Sequence, residues 1–131
     1  MIKERIDNLV DDISVIDPDD LFQYLIDQGN KFRDIPDWAS DANRVPGCMS
    51  RLWVKHEVIH RGLRFQTCSD SLIVDGAARI VTDIASGIPL DQARLEADEL
   101  DRLPQILHLS MQRRNGMSNL INRVKQIIRQ S

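Results

Sequence analysis

Cys48 and Cys68 are the two thiols of this 131-residue chain, and His56, His60 and His108 are its three imidazoles. Cys48 stands apart by context. It follows the turn pair Pro46-Gly47 and lies between Arg44 and Arg51. Nearby cations favour thiolate, the form of cysteine that attacks, so this pattern points to nucleophilic chemistry at Cys48. The competing account is a structural thiol, because free cysteines are among the most buried residue types. A magnitude shows what such a site needs. Lowering a thiol pKa from about 8.5 to about 7.5 raises the thiolate fraction at pH 7 from roughly 3% to roughly 24%. Intrinsic nucleophilicity falls about threefold over the same interval, leaving a net gain of only about two- to threefold. Access to the sulfur therefore outweighs tuning by arginines, and a cysteine on a loop has access.

The other candidates are weaker. Cys68 ends an alternating apolar run and reads as a small core residue. His56 and His60 are four apart in a strand-like stretch, on one face, but no ligand motif joins them to either cysteine, and no metal site is expected. His108 reads as structural or exposed. The chain has no GxGxxG or GxxxxGK[ST] loop, no CxxC, no HExxH and no GxSxG, which removes support for the common nucleotide, redox, zinc-protease and hydrolase readings.

The elements that must hold Cys48 follow from pattern. Ile2, Ile6, Leu9, Val10 and Ile13 predict an amphipathic helix over 2–14. Asp17 is a good N-cap, Pro18 suits the first helical position, and Asp19 and Asp20 suit the positive first turn of a second helix ending at Gly29. Asn30 to Gly47 has no sustained period, and long loops in compact domains are usually functional or mobile. Trp38 is expected to pin this loop by burying its ring. Leu52-Trp53-Val54, Val58-Ile59 and the alternating Leu63–Cys68 then read as a hairpin turning at Arg61-Gly62, with Arg44-Val45 as a possible short third strand. Ser69-Asp70-Ser71 offers N-caps for a mostly buried helix over 71–86, stopped by Gly87 and Pro89. Gly76 and its neighbouring alanines suit close backbone approach, with the sheet as the expected neighbour. Short helices are expected over 90–111 with a break near Pro104. A last amphipathic helix is expected after Asn115-Gly116. The fold class is α+β: a small antiparallel sheet of two or three strands packed against N-terminal and C-terminal helices, in one domain over 1–131.

Charge and composition set limits. A net charge of −3 exerts no overall pull toward nucleic acid. No apolar run reaches the 18 residues that a membrane span needs, and the charged N-terminus lacks a signal-peptide apolar region. A cytoplasmic location, with thiols kept reduced, is the expectation. Acids crowd the first twenty residues, whereas the bases Arg113, Arg114, Arg123, Lys125 and Arg129 have no acid among them. The plain reading is complementary solvated faces or helix-dipole placement; a docking role is the sharper one.

Three ordered blocks carry a resemblance. Val45-x-Gly47-Cys48-x-Ser50-x-x-Trp53 resembles the cysteine-loop motif of the SufE/CsdE family of sulfur acceptors in iron–sulfur cluster biogenesis. Ser69-Asp70-Ser71-Leu72-Ile73-Val74-x-Gly76 resembles the family's SDAxIVxG segment, and Arg113-Arg114-Asn115-Gly116-Met117 its [RS]-R-x-x-G-[LM] segment. The resemblance covers essentially the whole chain and implies a SufE/IscU-like fold. It also implies a function. A pyridoxal-phosphate cysteine desulfurase of the SufS or CsdA type would offer a persulfide, and Cys48 would take its sulfur and deliver it to a SufBCD-type scaffold or another acceptor. The desulfurase would turn over faster as a result. The pyridoxal phosphate would belong to the desulfurase, with no cofactor of this chain's own, and the protein would be a monomer or weak homodimer.

Family members hide this cysteine in an apolar cavity and swing it out in the complex. Gly47, Ser50, Arg51, Trp53, Asp70, Gly76, Arg114 and Gly116 would support the loop or dock the partner, with Trp53 anchoring the sheet. Two positions depart from the family pattern. Met49 stands where Gln is usual, a change that could suit a cavity-lined resting state. Asp75 stands where Lys is frequent, so docking charges are expected to differ. Two other functions fit less well. A scaffold of the IscU type uses three cysteines and a further ligand, against two cysteines here. A non-catalytic regulatory partner of a desulfurase would keep its binding after Cys48 is alkylated.

Overall fold

The computed structural model describes residues 1–29 and 34–131. Helix α1 (Ile2–Ser14) buries Ile2, Ile6 and Leu9, the apolar face its spacing predicts. Asp17 caps the next segment, its carboxylate accepting from Asp19 N, and Pro18–Asp20 forms a 3-10 turn that runs into α2 (Leu21–Gln28). Gly29 ends α2 in extended backbone rather than a left-handed cap. A Cβ there would lie 2.6 Å from Asp75 Oδ2 and 3.1 Å from Gly76 N, so a larger residue would push the Asp75 carboxylate aside.

Part of the long loop, residues 30–33, falls outside the described residues. Further along, the loop holds a 3-10 turn at Asp41–Asn43, and Lys55 Nζ sits 5.1 Å from the centroid of the half-buried Trp38 ring. Strands β1 (Leu52–Val58) and β2 (Leu63–Ser69) pair antiparallel from Leu52↔Ser69 to Val58↔Leu63. Gly62 takes the positive φ of +78° at the hairpin turn. The possible third strand reduces to one bridge, Arg44↔Trp53, in which Val45 N donates to Leu52 O at 2.8 Å.

Helix α3 (Leu72–Ala85) is capped by the Ser71 hydroxyl and buried nearly all round between β2 and α2. The close approach at Gly76 is to α2 rather than to the sheet. A Cβ on Gly76 would lie 1.6 Å from the Leu25 carbonyl oxygen. Helix α4 (Leu90–Glu96), a 3-10 stretch over Ala97–Arg102 and the single turn α5 (Leu103–Ile106) follow. Pro104 is accommodated in the first turn of α5, where its missing N–H costs nothing.

The last helix, α6 (Met111–Gln130), starts earlier than its sequence predicts. Ser110 caps it, and Asn115-Gly116 lies inside it. The central core joins Ile2, Leu25, Leu52, Val81, Leu103, Leu120 and Ile128, so the helices and the sheet share one interior. Two bases of α6, Lys125 and Arg129, pair with acids of the 97–102 stretch rather than with those of the N-terminal region. Lys125 Nζ lies 2.9 Å from both Asp98 and Asp101, and Arg129 lies 2.7 Å from Asp98. Asp7 instead pairs with Lys3 and Arg102. No helix among the described residues is long and apolar enough to cross a membrane.

Candidate functional site

Cys48 sits at the end of an arm, Pro46-Gly47-Cys48, laid across the first turns of α6. Gly47 makes the bend with φ +78°, a conformation that costs a residue with a Cβ roughly 1–2 kcal/mol. The bend turns the thiol down onto Gly116. A Cβ built on Gly116 would lie 2.6 Å from Cys48 Sγ and 3.1 Å from Cys48 Cβ. The helix thus leaves out a side chain at the point where the sulfur rests. The Asn-Gly pair inside α6, a turn signal by sequence, has this long-range reason.

Around the seated sulfur lies a cavity of about 310 Å³, bordered by Met49, Ser50, Val74, Ser110, Gln112 and Arg113. Burial pushes the Cys48 thiol above its ordinary value, and the Asp70 carboxylate adds to the rise. A hydrogen bond from Ser50 N–H to the sulfur and the charge of Arg44 oppose it without prevailing. Arg44 favours the thiolate as expected, but burial outweighs it and the net direction is upward. Arg51 has another use: its Nε donates to Asp70 Oδ2 at 2.9 Å and its guanidinium lies 5.4 Å from the Trp53 ring centroid. Seating stabilises the neutral thiol. The sign follows directly: that stabilisation is complete below the ordinary thiol pKa and is lost as pH rises through the raised one.

The remaining candidates divide into those at the arm and those away from it. Arg51 N donates to Asp70 Oδ1 at 3.0 Å, and Asp70 N to Arg51 O at 3.3 Å, so Asp70 and Arg51 clamp the strand entrance just after the arm. Trp53 is buried, opposite Cys68 in the hairpin, and anchors the sheet. Gly76 lies away from the thiol, at the α2–α3 contact. Arg114 Nε donates to Leu109 O at 2.9 Å and ties the start of α6 to the preceding turn; it is Arg113, not Arg114, that borders the thiol cavity. Arg113 also lies over the Phe22 ring at 5.8 Å and helps line an apolar cleft of about 410 Å³ next door.

Two other expectations need correcting. Asp75 is not a docking charge: it is buried and accepts from Ser69 N at 3.1 Å. Met49 does not fill the cavity. It borders the mouth and is 79% exposed, and nothing in the structure explains why Met stands there instead of Gln. Cys68 is buried in the sheet, and His56 packs against Phe65 with ring centroids 6.3 Å apart. Among the described residues, no three His, Cys, Asp or Glu side chains form a group that could hold a metal ion.

The sequence pattern did not single out Asn119. Its Nδ2 donates to Pro46 O at 2.9 Å, three residues beyond Gly116 on α6. Nothing in its own neighbourhood of the sequence marks it, because its partner is 73 residues away.

Fold and site together define a small α+β protein with one sheltered thiol on an arm bent at Gly47. The SufE "Fe-S metabolism associated domain" matches residues 7–128. An uncharacterised SufE-like protein of Rhizobium meliloti (strain 1021) is 32% identical over 128 residues, covering 92% of this chain and 91% of the relative. A SufE-like protein of Rhizobium etli is 30% identical over 135 residues, covering 92% of this chain and 87% of the relative. The chain belongs to the SufE family, and the family's field is iron–sulfur metabolism.

Proposed function

We propose that the protein is a persulfide carrier, taking sulfur onto Cys48 from a cysteine desulfurase of the SufS or CsdA type. The observation that carries this reading is the seat: α6 omits a side chain at Gly116 where the Cys48 sulfur rests. A merely structural thiol has no need of a hinge, and a free reactive thiol has no need of a seat. Having both fits a sulfur that is stored neutral and then presented.

In the transfer, the Cys48 thiolate attacks the outer sulfur of the desulfurase persulfide. A new S–S bond forms at Cys48 Sγ as the old one breaks. The desulfurase cysteine departs as a thiolate, so no net oxidation occurs. Raised pKa in the seat and attack as thiolate are reconciled if the arm leaves α6 first. Out of the seat the burial penalty falls and the sulfur ionises more readily. The sulfur then passes to a cluster scaffold of the SufBCD type or another acceptor, and removal of its product speeds the desulfurase. The pyridoxal phosphate stays with the desulfurase, and this chain works in the cytoplasm with reduced thiols.

The test is transfer of label. With a SufS-type desulfurase and [35S]cysteine, thiol-releasable label should appear on the Cys48 peptide, and Cys48→Ser should abolish it. Label retained by the Cys48→Ser protein would overturn the assignment.

A further inference from the structure

We infer that Asn119 is a positioning residue that latches the Cys48 arm, setting through its hydrogen bond to the Pro46 carbonyl how often the thiol leaves Gly116. It deepens the proposed sulfur transfer and rests on that reading only for its biological purpose. Gly116 and Asn119 are three apart on α6 and so share one face. The first receives the sulfur, and the second holds the backbone two residues earlier. The fit at the latch is close. A Cβ on Gly47 would lie 2.3 Å from Asn119 Nδ2, so the amide reaches Pro46 only because Gly47 has no side chain. On either side the chain is fixed by other means, at Val45 N to Leu52 O and at Arg51 N to Asp70 Oδ1. Between these anchors, the Asn119 bond is the one hydrogen bond among the described residues that joins segment 46–50 to the rest of the molecule.

The chemistry of the latch suits a device that must open. Its bond is neutral, single and at the surface. Breaking such a bond shifts an equilibrium by about two- to tenfold, enough to hold an arm down and not enough to prevent its release. The Gly116 contact is one of space, the room left by an absent Cβ, and the seat and the amide latch are separable. A partner able to offer the Pro46 carbonyl another donor would release the arm at little cost.

The experiment uses the full chain with no desulfurase present. Iodoacetamide alkylation is followed at Cys48 and Cys68 separately by peptide mass. Asn119→Ala removes the amide, and Asn119→Asp keeps its shape but replaces the donor by a carboxylate. Both should raise the Cys48 rate by about two- to tenfold while the Cys68 rate stays that of the parent. The inflection of the Cys48 rate against pH should also move down, as the sulfur spends less time buried. A Cys48 rate unchanged in either variant overturns the latch. So does an equal rise at Cys68, which reports general loosening instead. Since no sulfur donor takes part, the outcome is independent of the labelling experiment, and either idea can fail alone. With a desulfurase present, a larger open fraction lowers the half-saturating concentration by the same factor.

Discussion

Gly76 and Gly116 are both glycines inside helices, and both let a neighbour come closer than a Cβ would allow. The neighbours differ in kind. At Gly76 it is the backbone carbonyl of Leu25, fixed within α2, whereas at Gly116 it is the side-chain thiol of Cys48 on a loop. A helical glycine gives up about 1 kcal/mol relative to alanine, so each needs a reason. One reason is permanent, locking two helices together. The other is occupied by a side chain on a loop, the thiol of Cys48. A glycine within a helix therefore marks a contact, and only the identity of the contact says whether it belongs to the core or to the chemistry.

The comparison breaks if the two glycines respond alike to alanine. Gly76→Ala should have the largest effect. Its Cβ would meet backbone that cannot step aside, and overpacking of this kind costs roughly 3 kcal/mol. The midpoint of thermal unfolding followed by circular dichroism should fall by roughly 10 °C. Gly116→Ala should leave that midpoint close to the parent's, the helix propensity gain of about 1 kcal/mol offsetting the lost contact. It should instead displace Cys48 and raise its alkylation rate by roughly tenfold, the opposite division of effects. The smallest effect sharpens the same contrast between the acids of one short stretch, Asp70 beside the arm and Asp75 in the interior. Asp70→Asn removes an exposed ion pair with Arg51, which is worth at most about 1 kcal/mol. Because the Asp70 charge helps raise the Cys48 pKa, the inflection of alkylation rate against pH should move to lower pH in that variant.

Most of the frame was legible in the sequence because it is local. Helical spacing, the Asp17 and Ser71 caps and the Arg61-Gly62 turn are each decided by residues within a few positions of one another. So was the special standing of Cys48, through its Pro-Gly turn and the three blocks shared with the SufE family. What the sequence hid depends on partners far along the chain. Asn115-Gly116 carries the signature of a turn, and only the arrival of Cys48 explains why the helix continues through it. Asp75 looked like a docking charge, yet its place in the interior, packed with α3 against α2 and β2, buries it. Arg51 looked like an activator of the thiol, yet Asp70, 19 residues on, claims its guanidinium. Asn119 had no local mark at all.

The guanidinium of Arg5 closes the last turn of α3: its Nη1 donates to the carbonyls of Asp83, Ile84 and Ser86 at 3.0, 3.0 and 2.6 Å. At the same N-terminal end of α1, Met1 N and Lys3 N both approach Glu96 Oε1, at 3.5 and 3.3 Å. Helix α1 therefore depends for its place on residues far downstream. Its anchors lie 78 to 95 residues downstream, so α1 waits without its native partners while the hairpin and α3 are being made. Contacts of such span slow folding through the loop they must close. Chains broken off before Glu96 leave the apolar stripe of Ile2, Ile6 and Leu9 without the part of its cover that the 97–102 stretch supplies. Such fragments are the ones that chaperones and proteases are placed to meet.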